Sequence, residues 1–171
     1  SRSGKSAFAQ KLAEDLPGKR AYIATCPVID DELRERIRLH QEARGTDLWA
    51  TIEETVDIAR VIRQTTWGDV LLLDCLTLWV NNLMYEAEAA GRTVTEDDVA
   101  ASCAGVIAAC REIEGTVIFV TNEVGMGIVP DNAASRRYRD LVGRCNQSIA
   151  AEADDVVLVS CGIPLYLKQK G

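Results

Sequence analysis

Short apolar runs alternate along the chain with longer stretches of helical periodicity. Five runs read as strands: residues 21–25, 70–74, 116–121, 156–160 and a short one around 165–168. Their apolar positions are continuous rather than alternating, as in strands buried on both faces. Between them, apolar residues recur at three- and four-residue spacing over 5–15, 31–43, 52–64, 76–89, 96–113 and 132–153, which predicts helices. Pro17-Gly18 and Gly115 punctuate the ends of elements. Strands alternating with helices specify an α/β domain of three layers, a mostly parallel central sheet with helices packed on it. In such sheets ligands bind beyond the carboxyl ends of the strands, so the chemistry is sought there.

Composition narrows the class. At 171 residues, with no repeat, low-complexity stretch or linker, the chain reads as a single domain spanning 1–171. Apolar residues at 47% and charged residues at 26% exclude a disordered or fibrous chain. The net charge of −7 weighs against broad contact with a phosphate backbone, so no nucleic-acid partner is expected. No apolar run approaches the roughly 18 residues of a membrane span. The six cysteines include no Cys-x-x-Cys pair and have no histidine beside them, which speaks against zinc. They read as reduced core thiols, and the expected location is cytoplasmic.

The first six residues, SRSGKS, match the last six positions of the phosphate-loop pattern G-x-x-x-x-G-K-[ST]. Such a loop follows a strand, so the reading expects an N-terminal strand and a leading glycine ahead of Ser1. Backbone N–H groups of the loop cradle phosphate oxygens, and the helix that follows turns its positive end to the same anion. Lys5 then reaches the β- and γ-phosphates, and Ser6 is placed to ligate Mg²⁺. A carboxylate at the end of another strand usually completes the cation site; four aliphatics followed by Asp74 supply one.

His40 is the sole histidine. It shares a predicted helix face with Leu33 and Ile37, behind the acidic helix start Asp30-Asp31-Glu32. Packing in an apolar stripe is one reading. The other is chemical: a neutral imidazole is a good nucleophile and could attack the α-phosphorus of a bound nucleotide.

Several blocks together resemble one family. SRSGKS, AYIATCPVIDDELRERIRLHQEAR, LLLDCLTLWVNNL, VIFVTNEVGMGIVP and GRCNQSIAAEADDVVLVSCGIPL are similar to the bifunctional adenosylcobinamide kinase/adenosylcobinamide-phosphate guanylyltransferases of cobalamin assembly. The likeness runs over almost the whole chain, in order. It implies a P-loop NTPase-like domain with two activities. The first phosphorylates adenosylcobinamide with ATP or GTP. The second transfers GMP from GTP to adenosylcobinamide phosphate through a GMP-histidine intermediate.

The resemblance places that histidine at His40. Members with two adjacent histidines use the second, and the first position here is Leu39. It places nucleotide contacts at Ser1, Arg2, Ser3, Gly4, Lys5 and Ser6, at Ala24, Thr25 and Cys26, at Gln41, Glu42, Ala43 and Arg44, and at Glu53 and Asp74. Ser6 and Asp74 would serve Mg²⁺. Spacing after the histidine differs by one residue at Glu53, and Asp74 stands where members carry Glu. The family assembles as trimers, so a homotrimer is expected.

Two other functions are compatible with the residues alone: a monofunctional small-molecule P-loop kinase with a structural His40, and a GTP-binding regulatory module. The block Asn122 to Pro130 leaves a strand end with two glycines and reads either as part of a site or as a tight turn. Arg136, Arg137 and Arg139 follow it, suited to a phosphate, a neighbouring subunit or solvent.

Overall fold

The computed structural model describes residues 1–27 and 49–170. The helix predicted over 31–43 lies outside them. The elements run α1 (Lys5–Asp15), β1 (Arg20–Ala24), β2 (Trp49–Glu53), α2 (Ile58–Gln64), β3 (Val70–Asp74), α3 (Leu76–Ala89), α4 (Glu96–Arg111), β4 (Thr116–Val120), a 3₁₀ turn (Val124–Met126), α5 (Ala133–Glu152), β5 (Val156–Ser160) and β6 (Ile163–Lys168).

Four strands form a parallel sheet in the order β2-β1-β3-β4. The expected two-sided burial holds for β1 and β3, which are central. It does not hold for β4 and β5, whose residues are mostly half-buried. Strands β5 and β6 pair antiparallel as a separate hairpin.

Side-chain alternation sorts the sheet into two faces. One carries Ala21, Ile23, Leu71 and Leu73 and packs against α2, α3, α4 and α5, building the main core around Trp79, Val99, Val106 and Val142. The other carries Leu72 and Val120, which bury Ala9 of α1. Periodicity sets Phe8, Leu12 and Leu16 on one face of α1. Phe8 and Leu16 are half-buried and Leu12 is exposed, while Ala9 and Ala13 are the buried residues. Small side chains let the helix axis sit close on the strands, so here the smallest apolar residues make the contact.

Helix α1 runs antiparallel to the strands, and Arg20 shows why. This buried residue begins β1, and its guanidinium donates to the carbonyl oxygens of Ala13 (2.7 Å), Glu14 (2.8 Å) and Leu16 (2.6 Å). Those carbonyls end α1 and have no partner within it. The charge also complements the negative end of the helix. The C-terminus of α1 is thus tied to the amino edge of the sheet, and its N-terminus lies toward the carboxyl edge.

The helix expected over 52–64 is two elements. Trp49–Glu53 pairs with β1, and α2 begins at Ile58. Between them Glu54 accepts from the N–H groups of Val56 (2.9 Å) and Asp57 (3.0 Å), and Asp57 caps α2 by accepting from Arg60 N–H. Burial raises the Glu54 pKa, but those N–H bonds and the Arg60 guanidinium outweigh it and hold the carboxyl below its usual range. Helix α4 opens with a capping box between Thr95 and Asp98, and Asn132 caps α5. No described helix is long and apolar enough to cross a membrane. Among the described residues, which include all six cysteines, no disulfide forms.

Candidate active site

Residues 1–6 settle on the turn between β5 and β6. The Gly162 N–H donates to the Ser3 carbonyl at 2.8 Å. Gly4 sits at φ +94°, and a Cβ there would come within 3.1 Å of the Gly162 backbone, so only glycine fits without strain. Lys5 and Ser6 are then the first two helical residues of α1, whose N–H groups have no partner inside the helix. The first turn of α1 carries no acidic side chain to compete for an anion. It is a charged, phosphate-compatible helix start at the carboxyl edge of the sheet.

The same edge carries a row of strand ends in register. Glu53, Ala24, Asp74 and Val120 are consecutive partners across β2, β1, β3 and β4. Neighbouring strands are about 4.8 Å apart, so the Glu53 and Asp74 backbones stand roughly 10 Å apart with Ala24 between them. Asp74 points to the face that Leu72 shares with α1. Lys5, Ser6, Asp74, Ala24 and Glu53 therefore converge on one edge and one face. Among the described residues the Asp74 carboxylate takes no hydrogen bond.

Thr25 and Cys26 continue from β1 at this edge. The Thr25 hydroxyl donates to the Cys75 carbonyl and accepts from the Cys75 N–H, both at 2.9 Å, joining the ends of β1 and β3. Beneath them lies Asn82, a buried residue of α3 that the motif reading overlooks. Its amide nitrogen donates to the carbonyls of Thr25 (2.8 Å) and Thr55 (2.9 Å), so one side chain holds the turns after β1 and β2. Its signal in sequence is a polar residue on an apolar helix face. Asn82→Ala should leave two carbonyls short of a donor and cost about 2–3 kcal/mol. That lowers Tm by roughly 5–10 °C in thermal unfolding. Asn82→Asp should cost at least as much, because a carboxylate cannot donate; an unchanged Tm in both would contradict this role.

Asn146 of α5 does similar work at the end of β4. Its side-chain carbonyl accepts from the Thr121 hydroxyl (2.6 Å) and its amide donates to Glu123 Oε1 (2.8 Å) and the Asn122 carbonyl (3.2 Å). The block from Asn122 to Pro130 is thus anchored at its start, while Met126, Ile128 and Val129 are exposed. Of the three arginines behind it, Arg136 braces the Pro130 and Asp131 carbonyls, Arg139 pairs with Asp140, and Arg137 is exposed. His40 and the contacts expected at Gln41, Glu42, Ala43 and Arg44 lie outside the described residues.

Comparison with known proteins identifies the family. Residues 1–167 match the model of the family described as cobinamide kinase / cobinamide phosphate guanyltransferase. The chain is 37% identical over 174 residues to the bifunctional adenosylcobalamin biosynthesis protein CobU of Escherichia coli strain K12, covering 98% of this chain and 95% of that one. It is 39% identical over 178 residues to CobU of Salmonella typhimurium, again over 98% and 95%. Against the bifunctional adenosylcobalamin biosynthesis protein CobP of Pseudomonas aeruginosa it is 38% identical over 168 residues, covering 98% and 92%. With a phosphate-compatible helix start, a carboxylate-tipped strand beside it and likeness along nearly its whole length, the chain belongs to the cobinamide kinase / cobinamide phosphate guanyltransferase family.

Proposed function

We propose that this chain phosphorylates adenosylcobinamide with ATP or GTP and then transfers GMP from GTP to the resulting phosphate, giving adenosylcobinamide-GDP and pyrophosphate. The observation that carries the reading is the meeting of the α1 N-terminus, bearing Lys5 and Ser6, with Asp74 at one edge and on one face of the sheet. Ser1 to Ser6 wrap the β- and γ-phosphates, and Lys5 supplies the point charge on them. Ala24, Thr25, Cys26 and Glu53 border the nucleotide on the β1–β2 side.

The Ser6 hydroxyl and the Asp74 carboxylate are hard oxygen donors that suit Mg²⁺, a cation that takes few protein ligands and fills its shell with phosphate and water. Bound there, it would neutralise charge on the phosphates. In the kinase step the corrinoid hydroxyl attacks the γ-phosphorus and the nucleoside diphosphate leaves. In the guanylyl step a nitrogen of neutral His40 attacks the α-phosphorus of GTP and pyrophosphate leaves. An oxygen of adenosylcobinamide phosphate then attacks the same phosphorus and frees the histidine.

The test is direct. The purified chain with Mg²⁺ and γ-labelled ATP or GTP should label adenosylcobinamide, and α-labelled GTP should label the protein. Protein labelled without any corrinoid phosphorylation, or the reverse, would remove one of the two activities; neither label would remove the reading. A homotrimer and a cytoplasmic location are proposed from the resemblance and the reduced thiols. Light scattering should return three times the chain mass, and a stable monomer at micromolar concentration would contradict the trimer.

A further inference from the structure

A cavity of about 350 Å³ opens beside the end of β4, between the turn after Glu123, the start of α4 and the middle of α5. Its lining mixes acceptors and donors: the carboxylates of Glu96 and Glu123 and the side chains of Arg144 and Gln147. Asp140 and Arg139, also in its wall, already pair with each other.

Two details bear on whether the cavity is an accident of packing. The Nε of Arg144, a residue of the cavity wall, is buried and has no hydrogen-bond partner among the described residues, so a shift of the side chain would bring it to an acceptor held in the cavity. An orphaned buried donor is costly, and native proteins seldom leave one without an acceptor to receive it. Gly143 sits in the middle of the 20-residue α5, where glycine costs about 1 kcal/mol relative to alanine. A Cβ built on Gly143 would meet nothing within 4 Å, and the same holds for Gly125 across the cavity. Among the described residues, no neighbour crowds the Cβ position at either wall. Both keep a surface bare.

We infer that this cavity seats the amide-bearing edge of the corrinoid substrate. The inference rests on the proposed function and names a site for the substrate that the phosphate-loop residues do not supply. A corrinoid periphery carries primary carboxamide arms, each with N–H donors and a carbonyl acceptor. Carboxylates, a guanidinium-bearing side chain and an amide in one lining match that chemistry on both counts. A free phosphate or carboxylate ligand does not fit, because Glu96, Glu123 and Asp140 give the lining more negative than positive charge. At about 350 Å³ the space admits a few arms and not the macrocycle, which would lie over bare Gly125 and Gly143. Glu123 belongs to both regions. Asn146 fixes its carboxylate at the carboxyl edge, so a corrinoid held here would lie on the side of the sheet end where β4 emerges.

The test uses the full chain, adenosylcobinamide and steady-state phosphorylation. Gly143→Leu fills the open space with a better helix former, and Gln147→Ala removes an exposed donor and acceptor. Gly143→Leu should raise the corrinoid KM tenfold or more, leave the nucleotide KM within twofold and leave Tm equal or higher. Gln147→Ala should raise the corrinoid KM severalfold with Tm unchanged. A corrinoid KM within twofold of the unmodified chain in both variants would overturn the inference. So would a raised KM accompanied by a changed mass in light scattering, which would make this face a contact between copies. If the unmodified chain phosphorylates no corrinoid, the proposed function falls and the inference with it. If it does and the variants match it, only the inference falls.

Discussion

Lys5→Ala should cut corrinoid phosphorylation and guanylyl transfer together, each by roughly 10²–10³-fold, the usual size of loss when one preorganised charge donor is removed. The expectation follows from where α1 is held. Arg20 ties its C-terminal carbonyls to the amino edge of the sheet, and Ala9 seats its middle on Leu72 and Val120. Its first turn is thereby fixed at the carboxyl edge, and by the proposal the Lys5 ammonium there would serve whatever phosphate the loop binds. Both half-reactions draw on a triphosphate, so both lose the same contact. Alanine is the best helix former, so the substitution should not weaken α1, and Tm should stay within a few degrees. That separates loss of the charge from loss of the fold. A variant that is folded and phosphorylates adenosylcobinamide within threefold of the unmodified rate would show that Lys5 does not hold the transferred phosphate.

How far this arrangement is legible without coordinates differs from element to element. The bounds of α1, α3 and β3 follow from pattern alone, because each begins or ends at a residue with a local physical role. Gly4 turns the chain into α1, and Asp74 ends a run of four aliphatics. The face α1 buries does not follow. Periodicity favours the large side chains Phe8, Leu12 and Leu16, whereas the close fit on the sheet uses Ala9 and Ala13. Edge strand β2 is hidden for another reason. It is half-exposed, and the helical spacing of Ile58, Val61 and Ile62 that follows its Ile52 gives no sign of where the helix begins. The break lies in the Glu54 and Asp57 carboxylates, which cap the turn between them.

The residues that motif reading picks out are those that would meet the nucleotide. Asn82 and Asn146 meet backbone and neighbouring side chains among the described residues, and although both fall within the blocks that carry the resemblance, no motif spacing gives them a role. Each is a polar side chain set among buried apolar ones on its helix. Such a position demands partners, yet which loop supplies them is decided by the fold. The residues proposed to contact phosphate could therefore be named from the chain, and the asparagines that position the strand ends could not.

His40→Ala should abolish protein labelling by α-labelled GTP and guanylyl transfer while corrinoid phosphorylation continues. The two steps differ in what they demand of the protein. Transfer of the γ-phosphoryl group needs positioning and charge neutralisation, which Lys5, Ser6 and Asp74 are placed to supply, and it needs no covalent intermediate. A relay of GMP needs a nucleophile that can be loaded and then unloaded, and a neutral imidazole is one. Its protonated form is not, so labelling should fall as acidification protonates the imidazole. Kinase activity should not follow that profile. The adduct should be a phosphoramidate, lost in acid and kept in alkali, unlike a serine phosphoester. Because the chain has one histidine, the variant leaves no second imidazole to carry the label. An acid-labile α-label on the His40→Ala protein would therefore refute the assignment. Loss of both activities in a folded His40→Ala protein would refute it differently, making the imidazole part of the shared nucleotide site rather than the group that carries GMP.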